Sequence, residues 1–426
     1  MVSLLLAVIY LTFISLGLPD SLLGTAWPVM HVDLAAPIAA QGLISVIISC
    51  CTIVSSLLTA RLVHRLGTGR LTALSVALTA GAILGFSTTN AFWQLCLIAI
   101  PYGLGAGAID SALNNHVALN YGARHMSWLH CCWGIGASVG PLVMGRALAS
   151  PLSWHAGYLV IGFIQAAIAA ILLFSLPLWK TTGTEPANGD DEDAPAHASS
   201  ERPRDKDALN GQALSSGMTD ARPPLNRPLT NRELLKLPGA VASIGSFGFY
   251  CALEGSIGLW IASYLVMVRS IDTATAASIV AQFFMGITIG RLVSGFAAQW
   301  LTSENQIRIG QGLIAGGLIG LLVLDGAVAA GIAILLMGLG CAPIYPSIVA
   351  LTPKRFGVKA SQGLVSLQMA CAYAGSMLVP PIFGIAAGAG GAALIPIMIA
   401  VLLVTNTALA ELAIRRTKTA MGSATR

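Results

Sequence analysis

Residues 3–30 read SLLLAVIYLTFISLGLPDSLLGTAWPVM, and this stretch decides the fold. It exceeds the ~18 apolar residues that cross hydrocarbon, and its only charge is Asp20. A secretory leader would open on a basic segment and be shorter, so the run reads as a retained membrane helix. Eleven similar runs follow, near 38–60, 70–89, 91–119, 125–149, 155–179, 238–268, 274–298, 307–327, 329–352, 359–387 and 391–413. With 55% hydrophobic and 10% charged residues in 426, the chain excludes an ordinary soluble globule. The expectation is an all-α membrane protein of twelve transmembrane helices. The 46 glycines suit close helix packing in lipid.

Charge placement sets the expected orientation. Arg61, Arg65, Arg70, Arg124, Arg308, Lys354, Arg355, Lys359, Arg415, Arg416 and Lys418 fall on one face, with Arg269 and Arg146 on the other. The basic face is the cytoplasmic one. Both termini are therefore expected in the cytoplasm, of a multi-pass protein in the cell inner membrane. The net charge of +5 reflects these loops and implies no nucleic acid. All eight cysteines lie in apolar runs, which argues against disulfides, and no clustered metal ligands are present.

Residues 180–236 break the pattern with Asp190, Asp191, Glu192, Asp193 and several prolines. They read as a disordered cytoplasmic linker, with a short interfacial helix over 230–237. It divides a six-helix bundle over 1–179 from a second over 237–414, and 415–426 form a tail. The bundles echo each other at an offset near 235. Ala60 to His64 aligns with Gly295 to Gln299, Gly103-Leu104-Gly105 with Gly338-Leu339-Gly340, and Asp20 and Gly24 with Glu254 and Gly258. Gly140-Pro141 to Gly145 pairs less closely with Gly375 to Pro380 and Gly384. Two six-helix pseudo-repeats place a solute site near the midplane between them.

The stretch ARLVHRLGTGR over 60–70 resembles the loop motif of the major facilitator superfamily, with Arg65, Gly67 and Arg70 matching and Ala60 and His64 replacing a glycine and an acid. Gly136, Gly140, Pro141 and Gly145 resemble part of a fifth-helix motif associated with antiporters, although Ser127 stands where it has a further glycine. Gly17-Leu18-Pro19-Asp20 and Gly107 to Asn114 resemble the fucose permease-like sugar:proton symporters. That resemblance implies one acid in the first helix and one in the fourth, filled here by Asp20 and Asp110. The glutamines that those carriers use in helix five are absent; Trp128, His130 and Trp133 stand there instead.

A carboxylate held inside a span costs about 2.5–3.5 kcal/mol even on lenient insertion scales, so each one invites a functional reading. Asp20, Asp110 and Glu254 are the three well inside spans. Asp110 leads as the proton-coupling group, with Asn114 one turn on along the same face. Asp20 and Glu254 divide between proton coupling and direct solute binding. Arg291 lies about 10 Å from the cytoplasmic end of its helix and Glu254 near mid-depth. Direct pairing of the two is therefore not expected, and Arg291 is read as part of the cytoplasmic gate with His64, Arg65 and Arg70, as a partner of Asp110, or equally as a snorkelling side chain with no transport role. Aromatic planes and amides suit sugar rings and hydroxyls. Trp27, Asn114, His130, Trp260, Gln282, Tyr345 and Gln368 are therefore solute-binding candidates, against interfacial packing for the tryptophans and a place in the core for His130.

Gly136-Ala137-Ser138-Val139-Gly140 fits a nucleophile-elbow pattern but lies within a helix, and Gly103-Leu104-Gly105 lacks the strand of a dinucleotide site. Enzymatic readings are set aside. The expected activity is proton symport of a sugar or similar polar solute by a monomer in the bilayer, without a cofactor; sodium coupling stays open. The rival activities are proton-driven export of an amphipathic compound and solute sensing without transport.

Overall fold

The computed structural model describes residues 2–121, 123–180 and 229–424. Most of the expected linker, 181–228, lies outside the described residues. The rest is helical, with no strand among the described residues. The first half comprises α1 (Val2–Asp20), α2 (Leu22–Asp33), α3 (Ala40–Leu66), α4 (Thr68–Phe86), α5 (Phe92–Asn120), α6 (Ala123–Leu148) and α7 (Ser153–Ser175). The second comprises α8 (Asn231–Leu235), α9 (Ala240–Met267), α10 (Thr273–Ala297), α11 (Ser303–Val323), α12 (Ala327–Cys341), α13 (Ile344–Phe356), α14 (Val358–Gly390) and α15 (Ile395–Ala424). These elements make twelve spans long and apolar enough to cross a bilayer. An even number returns both chain ends to one face, called the terminal face below.

Two spans expected as single helices are broken, and proline chemistry explains both. Pro19 has no N–H for the Ser15 carbonyl, so α1 ends at Asp20 and α2 restarts after Ser21. Nε2 of Gln165, reaching from α7, donates to that freed carbonyl at 2.8 Å. A break buried in lipid is tolerated only with such a replacement. The tenth span divides at Ala342-Pro343 in the same manner. The short α8 is capped by Thr230, whose N–H donates to Glu233 at 2.8 Å. Its Leu234 is buried with Ala240, Ala360 and Leu364.

The last helix runs on through the residues expected as a tail. Ionic contacts at the terminal face hold it there. Arg308 of α11 forks onto both oxygens of Glu411 at 2.6 and 2.9 Å, and Glu304 takes Lys418 at 2.9 Å and Arg355 at 3.3 Å. Outward surfaces carry exposed apolar side chains such as Leu57, Phe174 and Val328, as lipid contact requires.

Between the halves, α2 crosses α9, α6 lies along α10 and α3 meets α14. Gly24 touches α9 so closely that a Cβ there would sit 2.6 Å from the Gly258 carbonyl oxygen. Gln41 donates to the Leu259 carbonyl at 3.0 Å, and Gly42 abuts Pro381. These contacts all lie between mid-depth and the face opposite the termini, so the molecule is closed on that side.

Candidate functional site

At mid-depth, where α1 breaks, the halves enclose a cavity of about 350 Å³. Asp20, Ser45 and Trp133 line it from the first half. Cys251, Glu254, Phe284, Arg291, Tyr345 and Ser376 line it from the second. Its volume sits at the low end for ligand pockets, matching a small solute.

Asp20 is at the C-terminal end of α1, open to the cavity, and both its oxygens accept hydrogen bonds. Tyr102 donates to Oδ1 at 3.1 Å and Nε1 of Trp133 to Oδ2 at 2.7 Å. Trp133 reaches it because α6 packs tightly on α1: a Cβ on Gly140 would collide with the Leu18 carbonyl oxygen. The Gly-Pro pattern of helix five is thus the seam that sets the Trp133–Asp20 bond. Behind Asp20 a smaller chamber of about 120 Å³ runs into the first half, lined by Ser45, Ser49, Tyr102 and Tyr158 among aliphatic groups.

Across the cavity, Arg291 stands 5.5 Å over the Trp133 ring, a cation–π arrangement, and 3.7 Å from Oε1 of Glu254. This corrects the sequence reading that kept Arg291 and Glu254 apart. Helical rise gives the separation of Cα depths, but a long guanidinium arm turned along the helix closes it. Tyr250 bonds the other oxygen, Oε2. The same hydroxyl lies 2.7 Å from the carbonyl of Cys341, the last residue of α12.

That geometry leaves a hydrogen-bond count. A tyrosine hydroxyl has one proton, whereas a carbonyl and an ionised carboxylate are both acceptors only. Both short contacts are satisfied together when Glu254 carries a proton and donates it to Tyr250, which then donates to Cys341.

Asp110 accepts from Nδ2 of Asn114 at 2.8 Å on α5 and lines neither cavity. Of the seven solute-binding candidates, Tyr345 alone lines the large cavity; its hydroxyl meets the Met369 sulfur at 3.4 Å. Trp27 and Trp260 are fully buried, donating to the carbonyls of Ile38 and Pro380 at 2.9 and 2.8 Å. Gln368 is buried, bonding Ser243 and Thr352, both at 3.1 Å. The Gln282 amide presses on Gly331, and His130 sits edge-on to Phe13 at 5.9 Å. For these residues the helix face was predictable, but the neighbour covering it was not. His64, Arg65 and Arg70 are exposed and form no ion pair among the described residues.

Trp133 and Tyr250 are functional candidates that the sequence reading missed as site residues. The first bridges Asp20 and Arg291; the second lies one turn before Glu254, a spacing that could have signalled it.

Comparison with known proteins agrees with this architecture. The sequence model of the Major Facilitator Superfamily matches residues 9–336. The chain is 23% identical over 325 residues to Bypass of stop codon protein 6 of Saccharomyces cerevisiae; the match takes in 72% of this chain but only 62% of that relative's length. Its fold resembles that of a bacterial homolog to the human lysosomal transporter Spinster, solved inward-facing and unoccupied. The TM-score is 0.69 and identity 12%, over 98% of this chain and 97% of that one. It also resembles the nucleoside transporter NupG, solved as a mutant, with TM-score 0.66 and 13% identity over 96% of this chain and 98% of that one. With twelve helical spans around a mid-depth cavity and a family match over most of its length, the chain belongs to the Major Facilitator Superfamily.

Proposed function

We propose that this transporter carries a small polar solute, sugar or sugar-like, by proton symport through alternating access. Asp20, Glu254 and Asp110 are its proton-handling groups. The observation that carries the reading is the pair of carboxylates facing one cavity from opposite halves, with Glu254 in a hydrogen-bond chain that a proton completes. Each carboxylate gains or loses its proton according to which face supplies water, and that ties proton movement to the solute. The positive-face argument orients both termini to the cytoplasm of an inner membrane. NupG, a nucleoside transporter by name, adds nucleosides to the solutes worth testing.

The test is uptake into proteoliposomes under an imposed pH gradient, across a panel of hexoses and nucleosides. Wild type is expected to accumulate a member of the panel, and Asp110→Asn to lose gradient-driven accumulation while retaining exchange. Identical flux in wild type and variant would remove Asp110 from the coupling set. A second reading, export of an amphipathic compound, is favoured by the aromatic and thiol lining from Trp133, Phe284 and Cys251. Dye efflux without accumulation of any polar solute would select it.

A further inference from the structure

Arg291 is the one basic side chain lining the cavity, and it is under-used. A guanidinium has five N–H donors in a planar fork. None of them makes a hydrogen bond within the protein among the described residues. Oε1 of Glu254 is 3.7 Å away, beyond hydrogen-bond reach, and the face of Trp133 lies 5.5 Å from the guanidinium carbon. Glu254 is meanwhile engaged by Tyr250 through its other oxygen. The groups facing Glu254 are Tyr250 and Cys251 from its own helix, Arg291 from α10, Cys341 from α12, and Tyr345 of α13 and Asp20 around the cavity. Arg291 is the only cation among them, so a proton on Glu254 removes the anion nearest to the guanidinium and leaves its fork turned to the cavity.

A planar fork of free donors beside an apolar ring fits a carboxylate or phosphoryl group better than a neutral hydroxyl. We propose that Arg291 is the receptor for an oxyanion borne by the solute, making the cargo an acidic sugar-like compound, and that Glu254 releases the guanidinium to it on protonation. The assignment rests on the transport reading above and narrows it. It also accounts for the charge balance. An anion entering between Asp20 and Glu254 meets two carboxylates and one cation, so it binds when a proton accompanies it.

The experiment measures binding of D-glucuronate, D-glucose 6-phosphate, inorganic phosphate and D-glucose to the detergent-purified full chain, between pH 5 and 8. At least one oxyanion is expected to bind, more tightly as pH falls; glucuronate against the two phosphates separates a carboxylate cargo from a phosphoryl one. Arg291→Lys should weaken that binding by about tenfold or more, since an ammonium cannot fork. Arg291→Gln should abolish it. Glu254→Gln should tighten it and flatten its pH dependence, a gain that misfolding cannot produce. The assignment is overturned if no oxyanion binds, or if Arg291→Gln binds the oxyanion as wild type does. Oxyanion binding through Arg291 without pH-driven uptake in proteoliposomes would overturn the symport reading and leave the Arg291 assignment standing. Driven uptake of glucose alone, unchanged in Arg291→Gln, would do the reverse.

Discussion

The Tyr250 hydroxyl meets both the Glu254 carboxyl and the Cys341 carbonyl with a single proton of its own, and that makes it the most informative single residue of the site. Removing its oxygen should cost little stability, about 0.5–1.5 kcal/mol for a typical hydrogen bond. The larger expected effect of Tyr250→Phe is on coupling. Gradient-driven uptake should fall about tenfold, the equivalent of one such bond, while solute exchange at equal pH persists. Equal losses in driven uptake and exchange would make Tyr250 a packing residue only. The carboxylates themselves were legible in the sequence because lipid makes a retained charge expensive. Their partners were not. The sequence marks Trp133 only as a replacement for a glutamine in helix five and does not mark Tyr102 or Tyr250; their positions opposite Asp20 and Glu254 give all three hydrogen-bonding work.

At the scale of the element, the break in the first span is the device that puts a carboxylate in the cavity. Pro19 frees the Ser15 carbonyl, and Gln165 of α7, which is buried, supplies the missing donor. Gln165→Leu should therefore destabilise the protein by about 1–3 kcal/mol, the cost of an unsatisfied buried carbonyl, read as a lower midpoint of thermal unfolding in detergent. An unchanged midpoint would mean that water or a neighbour replaces the amide. Pro19 and Asp20 stand out in any reading of residues 3–30, but nothing in that stretch says which helix repairs the break. The run was accordingly expected as one helix and is two.

For the whole molecule, closure opposite the terminal face is the state captured, and it rests on a few close approaches. A Cβ placed on Gly388 would lie 4.0 Å from the Ala39 Cβ, within the range that a disulfide spans. Ala39→Cys combined with Gly388→Cys should cross-link under mild oxidation, halt transport by holding that side shut, and recover on reduction. Cross-linking that leaves transport intact would show that this seam does not open during the cycle.

The sequence by itself determined the class of the molecule: twelve spans, the echo between halves, and the acids that lipid would otherwise exclude. These follow from local composition and periodicity, which the bilayer enforces residue by residue. Only the tertiary structure decided which acids share a cavity, that Arg291 reaches Glu254, and that Trp27, Trp260 and Gln368 are buried against protein partners. Such pairings depend on side-chain direction and on which helix covers which face, and a helical period fixes neither.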